Sequence, residues 1–263
     1  MIIDVHAHIF PDGIAEKAAS NIARFYNIPM CAGGRLSTLL AMERDTGVDR
    51  VLLCSAATTA TQTPIINDFT AQVVAAHPGL LYGLGAMHQD FADKGDEVRR
   101  IKALGLKGVK VHPDIQRVAL NDARFDALYE ALESMDMPLL AHTGDRRYRN
   151  SNPPEVLDVL GRFPRLTLIG AHLGCWSDWT EGARHLAGHE RVYVDCSSSL
   201  YALEPDEARR IIRAFGAERV MFGTDYPMWA PAEELKRLDR LQLTGREMDL
   251  ILYQNAQALL GIT

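Results

Sequence analysis

Short apolar runs alternate with longer amphipathic stretches along the whole chain. Eight of the runs have the length and the Val, Ile and Leu content of buried strands: Met1–His8, Arg50–Ala56, Leu81–Met87, Lys107–His112, Pro138–His142, Leu166–His172, Val192–Cys196 and Arg219–Thr224. From the third run onward the starts are 26 to 31 residues apart, which is the length of one βα unit. The pattern predicts an α/β protein, a single-domain (β/α)8 TIM barrel over residues 1–263. The alternative is an open doubly wound sheet, but no glycine-rich phosphate loop follows any strand.

The stretches between the runs have helical periodicity. Asn121 is a suitable N-cap for a helix over Asp122–Ser134, and Pro205 suits the first turn of a helix over Glu204–Phe215. Residues 9–46 are too long for one helix, so we expect this connection to contain an insertion that folds over the barrel mouth. The amphipathic segment Glu247–Leu260 either closes the barrel base or packs against a second subunit, and a homodimer is a possible assembly.

Composition excludes several classes of protein. With 47% hydrophobic and 24% charged residues, the composition is typical of a globular protein. The net charge of −6 makes the chain an unsuitable partner for nucleic acid. No apolar run approaches the ~20 residues of a membrane span, and no basic leader begins the chain, so we expect a cytoplasmic protein without membrane contact. The cysteines form no CxxC pair, which favours buried free thiols in a reducing compartment; they are Cys31, Cys54, Cys175 and Cys196.

Polar residues at the predicted strand ends suggest a metal site. His6 and His8 lie on the same face of the first strand, and burying two imidazoles is costly unless a ligand binds them. His142, His172 and Asp225 follow later strands, and the carboxyl ends of barrel strands meet at one mouth. Imidazoles and a carboxylate suit one divalent ion with an open position, zinc first and manganese or iron after it, which would activate water.

Five motifs carry a resemblance to a known family: Asp4-Val5-His6-Ala7-His8, Gly108-Val109-Lys110-Val111-His112, His142-Thr143-Gly144, Ala171-His172-Leu173-Gly174 and Phe222-Gly223-Thr224-Asp225-Tyr226-Pro227. The chain resembles the amidohydrolase superfamily, in the branch of aminocarboxymuconate-semialdehyde decarboxylase and related metal-dependent hydrolases. The resemblance implies that His6, His8 and His142 bind the metal. It also implies that Asp225 completes the site and acts as the base, and that His172 assists catalysis.

Lys110 and His112 have the same parity on the fourth strand, so both point into the predicted barrel. In binuclear relatives, a lysine at this strand end is carboxylated and bridges two metals. The alternative for Lys110 is an interior lysine paired with a carboxylate such as Asp4. His112 either contacts the substrate or has a structural role.

The loops after the fifth, sixth and eighth strands supply candidate substrate contacts. Arg146, Arg147 and Arg149 lie together after His142 and are suited to clamping a carboxylate or phosphate, unless they pair with Asp145. Trp176 follows His172 and Trp229 follows Asp225, and either ring can wall a flat substrate or pack the barrel. Hydroxyls that end the seventh strand are further candidates for the cavity wall: Ser197, Ser198 and Ser199.

These residues favour a metal-dependent hydrolase that cleaves the C–N or C–O bond of an amide or lactone in a small carboxylated molecule. The alternative is a metal-dependent nonoxidative decarboxylase of an aromatic or unsaturated carboxylic acid. Decarboxylases of the resembling branch often carry Glu at the position of His6, so His6 favours hydrolysis. A metal-free lactonase and a non-catalytic binding protein are the remaining alternatives.

Overall fold

The chain folds into a closed barrel of parallel strands. The computed structural model describes residues 1–263. Its strands are β1 (Ile3–Ala7), β2 (Arg50–Leu53), β3 (Leu81–Gly83), β4 (Gly85–Ala86), β5 (Val109–Val111), β6 (Leu139–Ala141), β7 (Leu168–Gly170), β8 (Val192–Asp195) and β9 (Val220–Met221). Each strand pairs in parallel with the next, in the two series β1 to β3 and β4 to β9.

Two junctions join these series into a ring. Strands β3 and β4 together form one strand position of the barrel. The Leu84 N–H donates to the Leu53 carbonyl on one side, and the Gly85 N–H donates to the Gly108 carbonyl on the other. Val5 N–H donates to the Phe222 carbonyl at 2.9 Å, which joins β1 to the end of β9. The ring therefore has eight strand positions, and the predicted (β/α)8 TIM barrel is confirmed.

Helices surround the barrel. They are α1 (Ala15–Tyr26), α2 (Leu36–Thr46), α3 (Gln62–Ala76), α4 (Lys94–Ala103), α5 (Pro113–Gln116), α6 (Asp126–Met135), α7 (Pro153–Arg162), α8 (Trp179–Leu186), α9 (Pro205–Phe215), α10 (Pro231–Asp239), α11 (Gly245–Asp249) and α12 (Asn255–Leu260). A π-helical turn, Leu250–Gln254, joins α11 to α12. None of the helices is long and apolar enough to cross a membrane.

The predicted elements lie where the apolar pattern placed them, with one error at a helix start. Helix α9 has Pro205 in its first turn, as predicted, and it begins at Pro205 with Glu204 as its N-cap. The prediction of Asn121 as an N-cap is wrong, because a 3-10 turn precedes α6 and the Asp122 carboxylate caps it by accepting from the Arg124 N–H at 2.9 Å. Three of the cysteines are buried and all four are free thiols.

The core has an outer and an inner layer. In β5, Val109 and Val111 belong to the outer layer between strands and helices, whereas Lys110 has the opposite parity. The inner layer holds apolar side chains from several strands, such as Leu140 and Ile169, and residues of the C-terminal segment, such as Leu260, pack against them. The lower barrel is therefore solid, and the polar residues collect at the carboxyl ends of the strands.

Candidate metal centre and active site

Three predicted ligands converge at the mouth of the barrel. The Nε2 atoms of His6 and His8 are 3.2 Å apart. Oδ1 of Asp225 lies 3.1 Å from Nε2 of His8 and 3.6 Å from Nε2 of His6. Two imidazole nitrogens and a carboxylate oxygen at such distances can share one small cation.

The other ring nitrogen of each histidine is already engaged. Nδ1 of His6 lies 3.0 Å from Oδ2 of Asp195, and Nδ1 of His8 lies 2.8 Å from the Cys54 carbonyl oxygen. An acceptor at Nδ1 keeps the proton of a neutral imidazole there and leaves Nε2 free for a metal. Our sequence reasoning missed Asp195, although an acidic residue at the end of the apolar run Val192–Cys196 is a visible signal.

Asp225 is held by its backbone and by its second carboxylate oxygen. Its φ is +60°, and its N–H donates to the His6 carbonyl at 2.7 Å. Oδ2 accepts from the Ser198 hydroxyl at 2.5 Å, and that hydroxyl accepts from Trp229 Nε1–H at 2.9 Å. Burial raises the pKa of Asp225, but the hydrogen bond with His8 and the charge of His6 outweigh burial, so the pKa lies well below its usual range. The group is a carboxylate at neutral pH.

His142 lies next to this group and not within it. Its Nδ1 is 3.1 Å from Nε2 of His172, and its ring stacks on His112 with the centroids 4.1 Å apart. No hydrogen bond or ion pair joins it to the three converging ligands. Its Nε2 and Oδ2 of Asp114 are both buried without a hydrogen bond, 3.5 Å apart. Such an unpaired couple fits a histidine whose Nδ1 turns toward a metal while its Nε2–H donates to the Asp114 carboxylate.

His172 stands between His142 and the converging ligands. Its φ is +61°, its ring stacks on that of His6, and its Nδ1 lies 3.1 Å from the Ser197 carbonyl oxygen. Burial lowers the pKa of His172 to about 4, so the ring is neutral at pH 7. With the proton on Nδ1, its Nε2 is an acceptor that faces the site.

Lys110 points at the ligand group. Its buried Nζ is 3.3 Å from Nε2 of His6. Asp4, the alternative partner, instead accepts from the Thr224 hydroxyl at 2.6 Å and from two backbone N–H groups. Lys110 therefore adds a positive charge beside His6.

A cavity of about 540 Å³ opens from these residues toward the surface. The predicted site residues that line it are His6, His8, Lys110, His112, His172 and Asp225. Tyr26 of α1 also lines it, and its hydroxyl lies 2.7 Å from Nε2 of His112 and 3.5 Å from Nδ1 of His142. Tyr26 belongs to the insertion, where no strand-end position marked it, and our sequence reasoning missed it.

The predicted arginine clamp and both tryptophans lie outside the cavity wall. Arg147 binds the buried Asp145 carboxylate with two nitrogens, at 2.9 and 2.6 Å, and donates to the Phe25 carbonyl at 2.7 Å. Arg146 donates to the backbone of the next loop, and Arg149 is exposed. Trp176 packs edge-on against Tyr26.

These features define a parallel α/β barrel with a histidine- and carboxylate-rich site at the carboxyl ends of its strands. The model of the amidohydrolase family (Amidohydro_2) matches residues 3–262, and the chain belongs to this family.

Solved structures share the fold over their full length. The TIM-barrel protein Bb4693 of Bordetella bronchiseptica superposes with a TM-score of 0.81 at 22% identity, covering 99% of this chain and 98% of that one. The manganese-bound dihydroxybenzoic acid decarboxylase of Polaromonas sp. JS666 has a TM-score of 0.76 at 16% identity, covering 99% and 97%. A candidate 2-pyrone-4,6-dicarboxylic acid hydrolase of Pseudomonas putida has a TM-score of 0.70 at 20% identity, with coverage of 99% and 97%.

Proposed function

We propose that the protein is a metal-dependent hydrolase that cleaves an amide or lactone bond in a small carboxylated molecule. The observation that carries the proposal is the convergence of His6 Nε2, His8 Nε2 and Asp225 Oδ1 within 3.6 Å, with both Nδ1 atoms engaged elsewhere. Zinc is the ion that this donor set suits best, and manganese is the alternative.

His6, His8 and Asp225 would hold the ion, with His142 as the fourth ligand. When bound, the ion supplies a positive charge that polarises a carbonyl oxygen and lowers the pKa of water toward ~7. Asp225 takes the proton of the attacking water and returns it to the departing nitrogen or oxygen. Its hydrogen bond from Ser198 keeps the other carboxylate oxygen in place during both transfers.

The remaining groups orient the water and the substrate and offset the negative charge that develops during the reaction. Nε2 of His172, an acceptor in the neutral ring, can bind a proton of the water or of the substrate. The Lys110 ammonium lies beside His6 and offsets negative charge that develops on the substrate oxygen. Tyr26 keeps its proton because burial raises its pKa well above the usual value, so its hydroxyl remains a hydrogen-bond group at the cavity wall.

Nonoxidative decarboxylation is the second candidate. A decarboxylase of aromatic acids has the same fold over the whole chain, and this is the observation in its favour. In that reaction the substrate carboxylate would lie at the His6, His8 and Asp225 end of the cavity. Asp225 or His172 would take a proton from water or a substrate hydroxyl and deliver it to the ring carbon as carbon dioxide leaves.

Metal content and product analysis test the two candidates together. We expect about one zinc or manganese per chain by elemental analysis of protein purified without added metal or chelator. Two ions per chain would support a carboxylated Lys110. Amides, lactones and aromatic acids would then be screened with the loaded enzyme. Release of carbon dioxide would show that the reaction is decarboxylation and not hydrolysis. A chain that binds no added metal would overturn both candidate functions.

A further inference from the structure

The cavity that begins at the candidate metal centre continues as a long apolar cleft. Its outer walls are formed by α1 and α3, which lie apart from the strand ends that carry the candidate catalytic residues. One continuous space therefore joins the reactive groups to a lining of a different character. The shape and chemistry of that lining bear on which substrates the cavity accepts.

Helix α1 presents one apolar stripe to the cleft. Ala18, Ile22 and Tyr26 line it at positions i, i+4 and i+8, with Phe25 beside them. At 1.5 Å per residue, the stripe from Ala18 to Tyr26 runs for about 12 Å. Since the Tyr26 hydroxyl meets His112, the stripe begins at the catalytic end and runs outward. Such a length exceeds what one aromatic ring needs.

Helix α3 forms the facing wall with Ile65, Ile66 and Phe69. Ile65 is 65% exposed, and Ile14, which precedes α1 on the opposite wall, is 54% exposed. These are the two most exposed of the few large apolar side chains on the surface. Both line the same cleft, as expected where a bound apolar group would cover them.

Arg117 is the one exposed lysine or arginine in the lining of the cleft. It lines the cavity and is exposed, and its side chain makes no hydrogen bond or ion pair. Lys110, the other lysine or arginine in the lining, is buried at the inner end. The amide of Gln62 at the α3 wall, by contrast, is already engaged through its oxygen, which accepts from the Thr58 N–H and hydroxyl. Arg117 is thus free to bind an anion.

We propose that the substrate is an elongated molecule with three parts. Its reacting group lies at His6, His8 and Asp225, its apolar body extends between α1 and α3 beyond the length of a single ring, and a distal anionic group reaches Arg117. This substrate class rests on the proposed function, because it assumes that the inner end of the cavity is the reacting end.

Hydroxamates of increasing length test the cleft without knowledge of the natural substrate. A hydroxamate chelates a divalent ion, so its tail would enter the cleft. Calorimetry on the zinc-loaded protein would compare acetohydroxamate, hexanohydroxamate, octanohydroxamate and suberic acid monohydroxamate. Each buried methylene is expected to tighten binding about fourfold, and octanohydroxamate should bind at least about 100-fold more tightly than acetohydroxamate. The terminal carboxylate of the suberic derivative should tighten binding further.

Matched variants assign the effect to the two walls and the cation. Ile65→Ser should reduce the gain with length, whereas Leu104→Ser, an exposed apolar position outside the cleft, should not. Arg117→Gln should abolish the preference for the terminal carboxylate, and Arg149→Gln should leave it intact. Loss of the carboxylate preference in Arg149→Gln instead would overturn the assignment to Arg117.

The outcomes separate this substrate class from the proposed function. If acetohydroxamate binds and octanohydroxamate binds no better, the elongated substrate is overturned while the metal site stands. If the protein retains no zinc, the proposed function is overturned. In that case octanoate is the probe, because weak binding that Ile65→Ser and Arg117→Gln both reduce would still support the cleft, and no binding would overturn it.

Discussion

Asp195 is a buried carboxylate that orients His6 in the proposed metal centre, although it is not itself among the three converging residues. Its Oδ2 lies 3.0 Å from Nδ1 of His6, and its Oδ1 accepts from the Ser197 hydroxyl. Burial raises the pKa of Asp195, but the charge and hydrogen bond of His6 outweigh it, and the pKa lies well below the usual value. Asp195 is therefore a charged anchor that engages Nδ1 of His6 and leaves Nε2 facing His8 and Asp225.

Replacing Asp195 should weaken metal binding without removing a ligand. We expect Asp195→Asn to bind zinc about 10- to 100-fold more weakly, because the amide no longer holds a proton on His6 Nδ1 as strongly. Competition with a chromogenic chelator at pH 7.5 measures the change. Asp206→Asn, an exposed carboxylate on α9, is the control and should bind zinc normally. Equal affinity in the two variants would mean that Asp195 does not orient the metal centre.

At this scale the sequence shows the converging side chains better than it shows the groups that orient them. His6, His8 and Asp225 are visible because they stand at the ends of apolar runs, where barrel strands meet. Asp195 is 189 residues from His6, and no local pattern connects them. The arginine clamp was predicted from charge density with pairing to Asp145 as the alternative, and Arg147 follows the alternative, because it bonds the Asp145 carboxylate with two nitrogens.

Helix α1 contacts that same Arg147 at its C-terminal end. Its guanidinium binds the Phe25 carbonyl and lies within 5.6 Å of the ring centroids of Phe25, Tyr26 and Trp176. One side chain of the loop after β6 thus ties the end of α1, with Tyr26, to the active-site face. The apolar pattern predicted an insertion in residues 9–46, but the contact that orients it joins residues more than 120 positions apart.

Arg147→Met should loosen α1 while the barrel remains folded. The substitution removes the bidentate bond to Asp145 and the bond to the Phe25 carbonyl, so the amides of residues 15–26 should exchange at least about tenfold faster. Hydrogen exchange read by mass spectrometry compares this peptide with residues 205–215 of α9, which should not change. Arg149→Met, in the same loop, is the control. Unchanged exchange over residues 15–26 would show that α1 is held by other contacts.

Helix α11 has a charged cap with a calculable pH dependence. Thr244 Oγ1 accepts from the Glu247 N–H, Glu247 Oε2 accepts from the Thr244 N–H at 2.7 Å, and Arg213 Nε donates to Oε1 at 2.8 Å. These bonds, led by that from Arg213, lower the pKa of Glu247 to about 2. Since the folded pKa lies below the unfolded value, the stabilisation is complete above about pH 4.5 and is lost as the pH falls toward 2.

Glu247→Gln should therefore destabilise the protein at pH 7 and not at pH 2. We expect a loss of about 0.5–1 kcal/mol in the free energy of unfolding at pH 7, because Gln still accepts from the Thr244 N–H but no longer carries the charge that binds Arg213. Urea unfolding across this pH range measures it, with the exposed Glu218→Gln as the control. A difference that persists unchanged at pH 2 would exclude the charge as its cause.

The whole barrel is closed at its base by the C-terminal segment. The sequence left open whether the amphipathic segment Glu247–Leu260 seals the barrel or meets a second subunit. Leu260 is buried against the inner-layer side chains of the strands, so sealing the base is one of its roles. Helical periodicity shows that such a segment has an apolar face, but only the ring of strands shows what that face covers.

Leu260→Ala should destabilise the whole domain and not a single element. Removing a buried leucine side chain costs about 2–5 kcal/mol through lost burial and the cavity left behind. The neighbouring Leu259→Ala, at a half-buried position, should cost clearly less. Urea unfolding followed by circular dichroism measures both variants. Equal costs would mean that Leu260 does not seal the base.

Metal uptake should couple to the protonation of the whole ligand cluster. In the metal-free protein, burial lowers the pKa of both histidines, but negative neighbours outweigh it. The charges of Cys54 and Asp195 raise the pKa of His6 to about 10. The charge of Cys54 and the hydrogen bond to Asp225 raise the pKa of His8 to about 9. Burial raises the pKa of Cys54, but the two charged histidines lower it to about 5. Zinc requires neutral imidazoles, so binding at pH 7 must displace two protons from His6 and His8.

The charge of the zinc ion keeps Cys54 deprotonated, so both protons reach the solvent. Sγ of Cys54 lies 3.6 Å from Nδ1 of His8, and a divalent cation held by His6 and His8 would stabilise the thiolate in place of the two imidazolium charges. The net release at pH 7 is therefore near two, and the apparent zinc affinity should rise about 100-fold per unit between pH 6 and 8. Calorimetry in buffers of different ionisation enthalpy counts the protons. In Cys54→Ala the histidines lose a charge that raises their pKa, so the number of protons released and the slope with pH should both fall. A slope near zero in the wild-type protein would mean that the histidines are already neutral before the metal binds.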